Sequence, residues 1–213
     1  MSASERPLFE RLVHDLKGPL SPLQTSAYLL RRPDLPAEKR IELAETVERQ
    51  SRRMAGMIEE LGDWVRAREG RLVTRRRPVD LAYVVDLAVG AVPQASTQPD
   101  IADDAQALQV DGDETRLAQA IGALLAFAAS RDPAPTLRVS REGDEAIVEV
   151  ADAGAEVDAP AALLTAPLPE PYDQGLGLRL VIADAIAQAH GGRLEATAHA
   201  PGVALRLVVP VIA

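Results

Sequence analysis

No cysteine occurs in the 213 residues, so neither a disulfide framework nor a thiolate metal site can be built. That suits a reducing compartment. Long apolar runs are missing as well. The longest, AIGALLAFAA at 120–129, stops well short of the ~18 residues that a membrane span needs. The opening MSASERPLFERL sets no basic patch ahead of a hydrophobic stretch, so a signal peptide is not expected. Together these absences predict a cytoplasmic protein with no membrane span. Positive charge is scarce in the back of the chain: of 23 Lys/Arg and 32 Asp/Glu, residues 1–77 hold 16 and 12, which leaves 7 and 20 for the rest. A back portion at −13 argues against nucleic acid, which rewards clustered cations. A protein partner is the better expectation.

What is present is strong apolar periodicity. Phe9, Val13, Leu16, Leu20, Leu23, Ala27 and Leu30 alternate spacings of four and three, the repeat of a seam between packed helices. One helix of roughly 23 residues is predicted. RRPDLP at 31–36 breaks it, and Ala44, Val47, Ser51, Met54, Ile58, Leu61 and Val65 then repeat the seam on a second helix. A lone helical hairpin buries one stripe per helix, so pairing with a second copy as a four-helix bundle is the economical solution. A homodimer is expected.

After Gly70 the pattern changes. RLVTRRRPVDL reads as a short strand ending near Pro78 and Asp80, with Asp80 capping a helix through Val92; AVPQASTQPD reads as loop. DGDETRLAQAIGALLAFAAS reads as a capped helix, TLRVS and AIVEVAD as two strands around REGDE, and RLEATAHA and VALRLVVPV as a hairpin around Pro201 and Gly202. GLGLRLVIADAIAQAHGG is a glycine-led helix closed by a glycine pair. The fold class is therefore α+β: a helical hairpin over residues 1–70, then a two-layer α/β sandwich with a mainly antiparallel sheet over 71–213.

The residue that invites chemistry is His14, beside the seam residue Val13 and followed at once by Asp15. A neutral imidazole nitrogen is a competent nucleophile, and a neighbouring carboxylate can orient the ring or accept its proton. Pro19 removes a helical hydrogen bond and bends the helix below the histidine, while Gly18 leaves room for another surface to approach. Elsewhere, His190 reads as part of a helix C-cap where a cation meets the dipole favourably, and His199 as a solvated residue near a hairpin turn. Trp64 reads as packing at the domain junction. Arg75, Arg76 and Arg77 read as a solvated linker, or as a contact for an acidic partner.

LVHDLKGPLSPL resembles the phosphoacceptor box of bacterial sensor histidine kinases. RMAGMIEELGDWVRAREGRL leading into RPVDLAYVVDLAV is similar to the family's second dimerisation helix and its link to the ATP-binding domain. DGDETRLAQAIGALL resembles the opening of the N box, VEVADAG the first glycine box, and GLGLRLVIADAIAQAHGGRLEA the second with its helix. These resemblances come in family order along nearly the whole chain.

The resemblance implies a second domain of the histidine-kinase ATPase (Bergerat) type. It implies His14 as phosphoacceptor, Asp15 as its acid/base partner and Lys17 as a basic residue near the incoming phosphoryl group. It implies receiver domains of response regulators as partners, with an upstream hybrid kinase as a further one. Gly18 stands where kinases that also dephosphorylate their regulator carry Thr or Asn. In the family's N-L-L-x-N-A-x-K, the second Asn holds Mg²⁺; aligned on LLAFAAS, the two Asn become Ala123 and Phe127, and the Lys becomes Ser130. A phenyl ring cannot ligate a hard cation that demands oxygen. Asp152 and Gly154 survive from D-x-G-x-G, where the Asp reads the adenine amino group, but the second glycine is Glu156. The lid, Asp158 to Gln174, is short and proline-rich. Gly175 and Gly177 either cradle phosphate at a helix N-terminus or persist because the backbone requires them.

Phosphoryl transfer from ATP depends on placing and neutralising the triphosphate with its metal. The expectation is therefore a histidine phosphotransferase of the stand-alone kind, with Asp152, Gly154, Gly175 and Gly177 as vestiges of a nucleotide site and no cofactor. The alternatives are an active autokinase using ATP and magnesium, and a non-catalytic module that binds a regulator or heterodimerises with an intact kinase.

Overall fold

A computed structural model describes residues 6–132, 134–168 and 175–212, with side chains from Glu10 onward. The side chain of Phe9, of the expected seam, and residues 169–174 of the lid thus fall outside what is described. The chain forms two compact units, one running to Gly62 and taking in Leu176, the other beginning at Asp63.

The first unit is a helical hairpin. Its first arm is two helices, α1 (Arg6–Lys17) and α2 (Leu20–Leu29), where the periodicity predicts one. The break falls at Gly18 and Pro19, because proline has no N–H to continue the ladder. Gly18 N–H donates instead to Asp15 O at 3.1 Å in a tight turn. The second arm, α3 (Ala37–Arg68), runs 32 residues, its last turns lying in the second unit. At the connecting turn Arg40 Nη1 donates to Leu30 O at 3.3 Å.

The buried stripe differs from the predicted seam by one residue. Val13, Leu20 and Ala27 are exposed, whereas Leu12, Pro19 and Ser26, each one position earlier, are buried. Leu16, Leu23 and Leu30 are half-buried between the two rows. On α3, Val47, Met54 and Leu61 are half-buried, while Ala44, Ser51, Val65 and Ile58 stay exposed, Ile58 at 59%. The 3/4 spacing therefore spans two neighbouring stripes, of which a single chain covers only one.

The second unit is a sheet with helices on one face. A two-stranded ribbon joins β1 (Arg77–Asp80) to β3 (Gln109–Gly112) antiparallel. The five-stranded sheet has the order β2-β4-β5-β7-β6, from β2 (Pro99–Ile101), β4 (Thr136–Glu142), β5 (Glu145–Ala151), β6 (Arg193–Ala198) and β7 (Val203–Pro210). Only β2–β4 is parallel. The end of AVPQASTQPD is thus strand rather than loop, because Pro99–Ile101 finds a sheet edge that local composition does not reveal. The expected first strand is confined to Arg77–Asp80, the stretch that pairs with β3.

The strand alternation explains why one face suffices for packing. One row across the sheet, Val139, Val148, Leu207 and Leu194, is wholly apolar and buried under the helices. On the other face Asp100, Arg138, Glu149, Arg206 and Glu195 stand in register, one per strand and alternating in sign. Opposite charges directly across strands stabilise the pairing, so this face is satisfied in water.

Helices α4 (Leu81–Ala91), α5 (Glu114–Ala129) and α6 (Arg179–Ala189) form the second layer. Asp80 caps α4 by accepting from Tyr83 N–H at 3.2 Å, and Asp113 caps α5 by accepting from Arg116 N–H at 3.2 Å. No helix among the described residues is long and apolar enough to cross a membrane.

One buried carboxylate joins the last turns of α3 to the second unit. Asp63 accepts from Arg66 at 2.6 Å, Arg116 at 2.9 Å and Gln119 at 2.6 Å, tying the last turns of α3 to α5. Burial alone would push its carboxyl up; the hydrogen bonds from Arg66 and Gln119, with the charge of Arg116, outweigh that and hold it below the ordinary 3.8. This contribution is complete above that value and fades as acid protonates the carboxylate. Replacing Asp63 with Ala leaves Arg116 without its anion and is expected to lower stability by about 3 kcal/mol. Denaturant unfolding at neutral pH measures it. A loss below about 0.5 kcal/mol, the range of ordinary surface substitutions, would remove Asp63 from this role.

Candidate functional site

His14 lies one turn from the end of α1, its side chain 87% exposed. Its Nδ1 faces Asp15 Oδ1 at 3.2 Å, and Arg11 Nε stands 3.6 Å from the other carboxylate oxygen. A carboxylate only accepts, so the bond requires the imidazole proton on Nδ1 and leaves Nε2 with a free lone pair directed to solvent. Lys17, a turn below, is exposed. The kink at Gly18 and Pro19 ends α1 immediately afterwards, so the surface around the imidazole is short and open.

The second set of residues surrounds Asp152. This carboxylate is 1% exposed, and Arg131, itself 4% exposed, sets Nε 3.0 Å from Oδ2. The other oxygen accepts from Gly154 N–H at 2.9 Å. A Cβ at Gly154 would stand 2.9 Å from Asp152 Oδ1 and 3.0 Å from Arg131 Cβ, so glycine is needed here for close approach. The Arg131 guanidinium also donates to Ala155 O and lies over the Phe127 ring, 5.4 Å from its centroid. Phe127 is 3% exposed, and Ser130 Oγ donates to Phe127 O at 2.6 Å, which turns it back onto its own helix end. Ala123 and Phe127 thus carry no side-chain oxygen for a hard cation, and the Ser130 hydroxyl is turned onto a backbone carbonyl where the family has a lysine, so these side chains do not fit a metal–triphosphate group. Glu156 is exposed.

Gly177 has φ of +78°, and a Cβ there would lie 2.2 Å from Leu168 O, whose own N–H donates to Gly177 O at 2.9 Å. The backbone demands this glycine whatever is bound. Leu176 N–H, in the same segment, donates to Glu60 Oε2 at 2.9 Å. That amide of the glycine segment already holds a carboxylate. Leu178 opens α6 with no side-chain cap.

His190 differs from the sequence expectation. It sits at the C-cap of α6 but is 2% exposed, accepting at Nε2 from Asp113 N–H at 2.9 Å and donating from Nδ1 to Ile186 O at 2.7 Å. An acceptor at Nε2 cannot be protonated, and burial pushes this imidazole below the ordinary 6.5. It is therefore a neutral bridge between the C-terminus of α6 and the N-cap of α5, not a cation on a dipole. Gly112 makes room for it, since a Cβ there would stand 2.9 Å from the ring. His199 is exposed, as expected. Trp64 is buried with Arg68 over its ring at 5.0 Å, a packing role.

The arginine run is not simply a solvated linker. Arg76 donates to Asp111 O at 3.1 Å and pairs with Asp111 Oδ2, and Arg77 pairs with Glu114 at 2.9 Å. These bonds pin the chain onto β3 and the start of α5, where Arg66, Arg71, Arg75, Arg76, Arg77 and Arg116 line a cavity of about 840 Å³.

Fold and site define a class: a phosphoacceptor-type helical hairpin followed by a histidine-kinase-type α/β sandwich. Residues 5–70 match the His Kinase A (phospho-acceptor) domain. The chain belongs to the bacterial sensor histidine kinase family, with that domain followed by an ATPase-type one. It is 28% identical over 204 residues to the sensor protein ChvG of Agrobacterium fabrum, covering 86% of this chain and 34% of that one. It is 30% identical over 221 residues to the signal transduction histidine-protein kinase/phosphatase MprB of Mycobacterium ulcerans, covering 92% and 42%. The chain thus spans well under half the length of these relatives. Among solved structures it is similar to the Acinetobacter baumannii histidine kinase AdeS, with a TM-score of 0.74 at 20% identity over 94% of this chain and 98% of that one. That likeness concerns the fold.

The two-sided use of His190 has a consequence in acid. Protonation at Nε2 would set an N–H against the Asp113 N–H, with Arg76 adding repulsion while Asp113 and Asp111 offset part of it. The native state thus binds fewer protons than the unfolded chain, so this stability is complete above about pH 6.5 and is lost as pH falls below it. The unfolding midpoint should drop between about pH 7 and 5. In His190→Gln, which can still accept from Asp113, that portion of the slope should vanish. An unchanged slope would exclude His190 as its source.

Proposed function

We propose that this chain is a histidine phosphotransferase of two-component signalling, working as a homodimer that exchanges a phosphoryl group between His14 and receiver aspartates of response regulators. The observation that carries the reading is the His14 geometry, with Nδ1 held by Asp15 and Nε2 open to solvent. In the forward step Nε2 attacks the phosphorus of a receiver aspartyl phosphate. The P–O bond breaks, its electron pair leaves with the aspartate carboxylate, and an N–P bond forms. The proton on Nδ1 is shared with Asp15, which offsets the positive charge developing on the ring. Delivery to a second receiver, or return to an upstream hybrid kinase, is the reverse. Lys17 stands on the same end of α1 as a cation for the phosphoryl oxygens. The mildly basic front of the chain complements an acidic receiver pocket. Neither ATP nor magnesium enters, in keeping with the fit of Phe127, Ser130 and Arg131 described above.

The second reading is an active kinase core that phosphorylates His14 from ATP. The comparisons back it better, because ChvG is named a sensor protein and MprB a histidine-protein kinase/phosphatase, each over most of this chain. The structural fit around Phe127 and Arg131 supports the first. In the autokinase reading Asp152 and the glycines at 154, 175 and 177 would hold the nucleotide.

Two experiments follow. A receiver phosphorylated by a small phosphodonor should label the wild-type chain, while His14→Ala should take no label and Asp15→Asn should slow transfer by about ten-fold or more. Labelled ATP with magnesium should leave His14 unlabelled; stoichiometric labelling from ATP would establish the autokinase instead. Failure of both labels would leave a regulator-binding module.

The exposed row Val13, Leu20, Ala27 and Ile58 is the surface assigned to the second copy. Ile58→Glu should shift the chain from dimer to monomer in analytical ultracentrifugation with helix content retained. A variant that stays dimeric would place the interface elsewhere.

A further inference from the structure

We infer that Arg131 is a built-in occupant of the position where the family reads adenine: Asp152 holds this guanidinium in place of a purine amine. Four contacts of one side chain carry the inference. Nε is 3.0 Å from Asp152 Oδ2, a second nitrogen donates to Ala155 O, the guanidinium lies on the Phe127 ring, and the Arg131 backbone and Cβ close against Gly154. The guanidinium presents what an aminopurine would present to such a place, a planar group with N–H donors in its plane and a face for stacking. A carboxylate accepts from it, a backbone carbonyl accepts beside it, and an aromatic ring covers it.

The same contacts join two sequence changes that look separate. Phe127 stands where the resemblance places an oxygen ligand, in the last turn of α5, and Arg131 follows it by four residues in the turn just past the C-cap Ser130, which brings the guanidinium over the ring. The ring that removes the metal ligand is the platform for the cation that fills the adenine end. The departures are one coupled repacking, and the pair is closed to solvent, Arg131 at 4% and Asp152 at 1%.

The inference deepens the nucleotide-free reading above. Its test involves no receiver and no phosphoryl group, so the two can fail separately. The 213-residue chain is compared with its Arg131→Ala variant by thermal melting and by calorimetric titration with adenosine. Adenosine should leave the wild type unmoved and should raise the melting temperature of Arg131→Ala by about 3 °C at ten times its Kd. Ethylguanidinium, which supplies the missing cation, should likewise stabilise the variant and compete with adenosine. If Arg131→Ala does not fold unaided, it is refolded with ethylguanidinium and adenosine is then titrated in. Equal binding of adenosine to wild type and variant would overturn the inference. So would a variant that binds neither compound, or one that ethylguanidinium fails to bring to a folded state.

Discussion

A carboxylate taken out of water must be answered by donors, and the second unit is organised around two that are. Asp63 gathers Arg66, Arg116 and Gln119, and by doing so decides that the last turns of α3 belong with α5. Asp152 gathers Gly154 N–H on one oxygen and Arg131 on the other. Removing either cation would strand a buried charge, a cost of several kcal/mol, whereas replacing the whole pair by apolar groups can be nearly neutral. The pair is therefore evidence of a constraint on Asp152 rather than of extra stability. Its Oδ1 forms the turn through Gly154, so the aspartate has structural work that does not depend on a ligand. Once the residue is kept for that turn, its second oxygen needs a partner, and Arg131 supplies one from within the chain.

Much of this was legible in the sequence, and the exceptions share a cause. The caps at Asp80 and Asp113, the hairpin around Gly143, the glycine pair after α6 and the strands β4 to β7 follow from local chemistry, and the structure places them where the residues say. The seam was read one residue off because alternate 3/4 spacing is satisfied by two neighbouring stripes, and only the packed hairpin shows that Leu12, Pro19 and Ser26 are the inner one. The strands Pro99–Ile101 and Gln109–Gly112 carry no local signal, because their support is pairing with Thr136–Glu142 and with Arg77–Asp80. Of the candidate site, His14 with Asp15 was visible as adjacent residues. Arg131 was not singled out, although its place four residues after Phe127 on a helix end was a usable signal. What no local pattern shows is that a cation just past the end of one helix meets a carboxylate 21 residues later, where the β4–β5 hairpin returns to the same end of the sheet.

The two histidines at the centre of this reading show how far environment decides chemistry. His14 and His190 both lie at helix ends, and both engage Nδ1 with an oxygen. They differ at Nε2. In His190 that nitrogen accepts from Asp113 N–H inside the fold, so its lone pair is spent on holding α5 to α6 and no phosphorus can approach it. In His14 the lone pair points to water, a turn before the helix is interrupted between α1 and α2. Of the two, only His14 therefore has a ring nitrogen available for the proposed transfer. The same contrast runs through the whole chain: the hairpin leaves its reactive group and one apolar row uncovered, while the sandwich answers its own buried charges. In the proposed reading, such a hairpin receives both its phosphoryl group and its apolar cover from other chains. Within the sandwich unit, Asp63 fixes the last turns of α3 to α5 through side-chain bonds that belong wholly to the chain itself.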